Sequence, residues 1–96
     1  MLFMCTYTWE PEQRDEVIRR RLEQERIISE GSRPVGEWIV PGEGKGFMLV
    51  ESQDARTMLG EFMAWSDLMK FEIVPVIEAA EVVELAKTGL LRFFKA

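Results

Sequence analysis

The sequence predicts a small α+β domain built on a four-stranded antiparallel sheet, and three observations carry that expectation. Runs rich in β-branched and aromatic residues lie at 2–9, 34–40 and 46–51, and a fourth lies inside "AWSDLMKFEIVPVIE" at 64–78. Segments with helical apolar spacing separate the first run from the second and the third from the fourth. The glycine-rich "PGEGKG" at 41–46 joins the middle two runs as a hairpin. The resulting order, β-α-β-β-α-β, is the split βαβ arrangement of ferredoxin-like domains, with two helices on one face of the sheet. A further amphipathic stretch adds a C-terminal helix, and all 96 residues belong to one domain.

Each element has its own warrant. In "LFMCTYTW", Phe3, Cys5, Tyr7 and Trp9 share one face of the first strand, and Leu2, Met4, Thr6 and Thr8 share the other. Glu10-Pro11-Glu12 opens a helix, because proline is tolerated in the first turn and acids suit the positive end of the helix dipole. This helix is expected to reach about Ser29, burying Val17, Ile18, Leu22 and Ile28, with Gly31 as its stop. Asp54 is the expected N-cap of a second helix, in which Ala55, Met58, Leu59, Phe62 and Met63 recur at helical spacing. The fourth strand carries Pro75. Proline cannot donate to a ladder, so this strand belongs at a sheet edge, which is where the last strand of this arrangement lies. "AAEVVELAKTG" reads as the extra helix, and "LLRFFKA" as an apolar tail in need of cover.

Composition excludes more than it assigns. The chain has no histidine, which removes histidine-based acid–base catalysis, Ser-His-Asp and Cys-His nucleophiles, and ordinary zinc and haem ligation. No cofactor or metal is expected, since no Asp/Glu spacing resembles a calcium loop. A net charge of −5 argues against nucleic acid. The run Arg19-Arg20-Arg21, interleaved with glutamates, reads as a solvated helix face. The N-terminal run is too short to span a bilayer and lacks a basic leader, so neither membrane nor export is expected. The lone Cys5 has no disulfide partner in the chain and suits a reducing cytoplasm. "GEGKG" lacks the spacing and the trailing Ser/Thr of a phosphate loop, and it joins two strands. "KGFMLVE" echoes an RNA-recognition strand but has Leu49 where a second stacking aromatic is needed.

Two helices cover one side of a sheet, and the other side would be amphipathic. It carries Thr6 and Thr8, then Phe47, Leu49 and Glu51, then Glu72, Val74 and Val76. A four-residue hairpin loop would set Trp38 opposite Leu49 and Gly36 opposite Glu51. Such a face needs a partner: a second copy of the chain, or a small molecule held between two copies.

"FMCTYTWEPEQRDEV", "GEW", "GKGFMLVES" and "AWSDL…FEIVPV" resemble a prokaryotic domain family of unknown function within the dimeric α/β-barrel superfamily. The likeness runs from Phe3 to about Ile77 and departs at Ala64, where the pattern would have proline. It implies a homodimer whose two ferredoxin-like sheets close face to face around a cleft. It implies no reaction, because superfamily relatives range from isomerases and monooxygenases to dehalogenases and ligand sensors.

Candidate site residues follow from that face. Glu72, within a strand, and Glu51, at a strand end, are the candidate acid–base carboxylates. A carboxylate enclosed by dimerisation and left unpaired would hold its proton more tightly, whereas at the rim it is simply solvated. Thr6, Thr8, Trp9, Trp38, Trp65 and Asp67 are the candidate ligand contacts. For Trp65-Ser66-Asp67 the competing reading is a connector, with the indole over the core and the polar groups bonded within the turn. Two functions stay open at this point. One is a small-molecule-binding protein of the barrel type, with carboxylate catalysis in the inter-sheet cleft as an extension; the other is a non-catalytic dimerisation or ligand-sensing module.

Overall fold

The computed structural model describes residues 1–24 and 31–89. Strand β1 (Leu2–Thr8) leads through a short 3-10 turn (Pro11–Gln13) into helix α1 (Arg14–Gln24). Strands β2 (Ser32–Ile39) and β3 (Lys45–Ser52) form the hairpin, and helix α2 (Ala55–Met63), strand β4 (Lys70–Val76) and helix α3 (Ala79–Lys87) follow. The four strands make one sheet in the order β2-β3-β1-β4, and every pairing is antiparallel. This is the topology expected from the element order, with the two proline-bearing strands at the edges. Pro75 stands opposite Phe3 on edge strand β4. Pro34 stands on edge strand β2 beside a bulge at Val35.

The alternation read from sequence places the core. Phe3, Cys5 and Tyr7 of β1 and Met48 and Val50 of β3 are buried against Val17 of α1, Met58 and Phe62 of α2, and Trp65 and Met69 beyond it. Phe62 and Phe71 pack at 4.8 Å between ring centroids. Ser32 and Ser52, buried where β2 meets β3, satisfy each other through a hydroxyl–hydroxyl hydrogen bond of 2.9 Å. Asp54 caps α2 as expected, accepting from the Thr57 amide at 2.8 Å. Gly89, at φ +78°, follows the last turn of α3 in the left-handed conformation that glycine supplies.

Three expectations are corrected. The turn sits one residue earlier in the chain than expected, so Trp38 stands opposite Phe47, not Leu49, and Gly36 opposite Leu49, not Glu51. The Val40 amide donates to the Lys45 carbonyl and closes the hairpin around Pro41 to Gly44, the four-residue loop expected but differently placed. A shift of two along a strand preserves the side-chain face, so Trp38 stays on the open side. In α1 only Val17 is buried; Ile18 is 50% exposed and Leu22 76%. In α2 only Met58 and Phe62 are buried, while Ala55, Leu59 and Met63 are exposed. Each helix lies on the sheet along a narrower stripe than its apolar residues span. The expected end of α1 near Ser29, with Ile28, and the tail at 90–96 lie outside the described residues.

Candidate functional site

The sheet has two sides, and the candidate residues divide between them. On the side away from the helices, Thr6 stands between Phe47 and Glu72, and Thr8 between Lys45 and Lys70. Met4 lies between Leu49 and Val74. Glu72 is exposed and makes no hydrogen bond or ion pair among the described residues. Glu51 at the far end accepts from the amino terminus of Met1 at 2.8 Å. It borders a shallow depression of about 560 Å3 with Arg33, Val35, Pro75 and Ile77. Trp38 lies flat along its own strand over Gly36, where a Cβ would come within 2.6 Å of the indole Cη2. The effect is a broad, mostly apolar platform, on which Trp38 and Val74 are exposed and Met4, Phe47 and Leu49 half-buried among the described residues.

On the helix side, α1, β2 and the hairpin loop enclose an open cleft of about 750 Å3. Its floor is a cluster the sequence did not single out: Tyr7, Glu37 and Arg21. The Tyr7 hydroxyl donates to Glu37 Oε2, Arg21 Nη1 donates to the same oxygen at 3.0 Å, and Arg21 Nη2 donates to Oε1. Gly46, opposite Tyr7, makes this geometry possible, because a Cβ there would lie 2.5 Å from the ring's Cζ and 2.6 Å from its hydroxyl. Burial and the adjoining Glu37 push the Tyr7 phenol well above its ordinary value, so it stays a proton donor. Burial alone would raise Glu37, but the Arg21 and Tyr7 hydrogen bonds and the Arg21 charge outweigh it and hold the carboxyl below its usual range. Hydrogen bonding to Glu37 likewise strengthens the Arg21 guanidinium's hold on its proton. Across the neutral range Glu37 and Arg21 are therefore a charged pair, with Tyr7 a neutral donor to the carboxylate.

Around this floor the cleft is apolar. Ile18 and Leu22 from α1, Ile39 from β2, and Trp9 and Trp65 line it, and Ile18, Leu22 and Ile39 are each at least half exposed to solvent. Trp9 stacks near Tyr7, with centroids 6.2 Å apart and planes 24° from parallel. Of the expected ligand contacts, Trp9 and Trp65 meet here, and Thr6, Thr8, Trp38 and Asp67 do not; nor do the candidate carboxylates Glu51 and Glu72. A signal for Glu37 was present in the sequence: it shares the parity of Met48 and Val50 across the hairpin, so its carboxylate had to face the helices and find a cation.

Trp65-Ser66-Asp67 has the geometry of the connector reading. Trp65 is 1% exposed, the Ser66 hydroxyl donates to the Met63 carbonyl at 2.9 Å, and both Asp67 oxygens accept from Arg20 at 2.8 Å. Arg20 also donates to the Ala64 carbonyl and lies 5.4 Å over the Trp65 ring. Pairing with Arg20 holds the Asp67 carboxyl below its usual range.

The arginine run is thus not one solvated face. Successive helical residues point about 100° apart. Arg19 stays on the wet side with Glu16 and Glu23, Arg20 reaches Asp67, and Arg21 reaches Glu37.

Among the described residues no group of three or more Cys, Asp or Glu side chains could hold a metal ion, and no helix is long and apolar enough to cross a membrane. Cys5 is fully buried and its thiol is pushed up to about 11 by burial, which leaves it unreactive. No curated protein matches the chain. Residues 1–90, which hold both faces of the sheet and every element described, match one family throughout, and the chain belongs to the domain of unknown function DUF3303.

Proposed function

We propose that the protein binds a small, mainly apolar molecule in the cleft between α1 and the sheet. One observation carries the reading: exposed Ile18, Leu22 and Ile39 surround a paired, partly buried Tyr7–Glu37–Arg21 cluster in an open cleft of about 750 Å3. Apolar walls with a few convergent polar groups, at this size, are what small-molecule sites consist of. The protonation states favour binding over turnover, since neither Tyr7 nor Glu37 is poised to exchange a proton near pH 7. A cytoplasmic setting fits the same reading, because the unpaired Cys5 suits a reducing compartment.

The test is a fragment screen read by backbone and methyl NMR on the intact chain. Fragments should shift Ile18, Leu22, Ile39 and Trp9 together, and Leu22→Glu, at a solvent-facing position, should weaken them at least tenfold while leaving the rest of the spectrum in place. Shifts centred on Thr6, Phe47 and Glu72 would move the site to the open sheet face and sink the cleft reading.

A second reading concerns that open face and is compatible with the first. The platform of Met4, Phe47, Leu49, Val74 and Trp38, together with α3, which buries none of its residues, favours pairing with a second copy as a dimeric α/β barrel. Such pairing would enclose Thr6, Thr8 and Glu72, with Glu51 at the end, and would make Glu72 the carboxylate to test for acid–base work. Glu72→Gln without effect on any measured turnover would exclude that role.

A further inference from the structure

We infer that the cleft's ligand is an uncharged ring compound that donates one hydroxyl or N–H hydrogen bond to Glu37 Oε1. The inference rests on the cleft being the binding site, and it concerns what that site selects.

The first ground is hydrogen-bonding capacity. A carboxylate offers about four acceptor positions. Glu37 uses three: Oε2 accepts from both the Tyr7 hydroxyl and Arg21 Nη1, and Oε1 accepts from Arg21 Nη2. One position on Oε1 remains, on a side chain that is 21% exposed and borders the cleft. The polar floor thus has room for one donor.

The second ground is charge. The ionised residues lining the cleft are Arg14, Arg21, Glu37 and Glu43, two of each sign. Arg21 is paired with Glu37, Arg14 with Asp15 at 3.0 Å, and Glu43 stands exposed to water on the hairpin loop. Neither an anion nor a cation entering against Ile18, Leu22 and Ile39 would find an uncommitted counter-charge at the floor, and an ion moved to apolar surroundings without one is heavily penalised. The third ground is shape. Trp9 lies beside Tyr7 with nearly parallel planes, which provides a flat wall against which a ring can stack.

Three molecules of one ring skeleton separate these grounds by calorimetric titration of the intact protein at pH 7: 2-naphthol, 2-methoxynaphthalene and 2-naphthoate. The expected result is saturable binding of 2-naphthol, at least tenfold tighter than either analogue. If 2-methoxynaphthalene binds as tightly, the donor is not being recognised and the inference is overturned, while the cleft reading stands. If 2-naphthoate binds as tightly or more so, the charge argument is overturned with the same consequence. If none of the three binds, or if Leu22→Glu leaves 2-naphthol binding intact, the cleft reading fails and the inference fails with it.

Discussion

At the scale of the residue, the cleft depends on an atom that is absent. Gly46 leaves the space through which the Tyr7 ring crosses β3 to reach Glu37 on β2. Gly46→Ala would place a methyl group 2.5 Å from a ring carbon, and a rigid ring in a packed core cannot yield that distance. The expected cost is about 1–3 kcal/mol in urea unfolding, typical of overpacking. Loss of the Tyr7–Glu37 hydrogen bond should accompany it, visible in the Tyr7 hydroxyl proton by NMR; an unchanged hydroxyl signal would show that the ring does not depend on the glycine.

The same cluster predicts a pH dependence with two limbs. Glu37 is held below its unfolded value, so its contribution is present above the ordinary carboxyl range and is lost as pH falls through the folded value. Tyr7 is raised, so its contribution is complete below about pH 10, the ordinary tyrosine value, and fades as pH climbs toward the folded one. Urea midpoints should therefore fall below about pH 4 and above about pH 10. Glu37→Gln should flatten the acid limb, and Tyr7→Phe the alkaline one. An acid limb identical in wild type and Glu37→Gln would mean that the carboxylate is not paired in solution.

At the scale of the element, α1 and α2 both bury less than their apolar residues suggest, and the reasons differ. Helix α1 is held to the sheet by Val17 and by two arginines acting in different directions, Arg20 toward Asp67 and Arg21 toward Glu37. Only Val17 of its apolar residues is buried in the core, and Ile18 and Leu22 become cleft wall. Helix α2 lies on the core along Met58 and Phe62, one turn apart. Phe62→Ala should cost about 3–5 kcal/mol, since it opens a cavity between Tyr7, Phe71 and Met58. Leu59→Ala, at a position 59% exposed, should stay within about 0.5 kcal/mol. Equal losses in thermal or urea unfolding would mean that the wider stripe is buried after all.

At the scale of the whole molecule, the sheet separates two surfaces of different character. One holds the core and the cleft; the other is a platform of apolar side chains edged by Lys45, Lys70, Glu72 and Glu51. A chain of 96 residues buries a modest share of its surface alone, and pairing of two such platforms would supply what the core lacks. Sedimentation equilibrium at micromolar concentration should give twice the chain mass, and Phe47→Glu should return it to the monomer without loss of the fold. A monomeric wild type would remove the dimeric reading and leave the cleft reading untouched.

The sequence alone determined the element order, the edge position of Pro75, the core parity of β1 and β3, and the exclusion of histidine chemistry. These follow from local rules: the two-residue period of a strand, the missing amide of proline, and a count of side chains. The Tyr7–Glu37–Arg21 cluster joins residues 7, 21 and 37, which no local spacing relates, and the hairpin register depended on where the turn falls within a glycine-rich stretch. Only the tertiary structure decided those two features, because the height of α1 over the sheet and the loop between β2 and β3 fix which side chains meet. It also divided the candidate residues between two faces, sending Trp9 and Trp65 to the cleft and leaving Glu72 with Thr6 on the platform. A single strand pattern tells which residues share a side; which side is covered, and by what, is set by the packing of elements far apart in the chain.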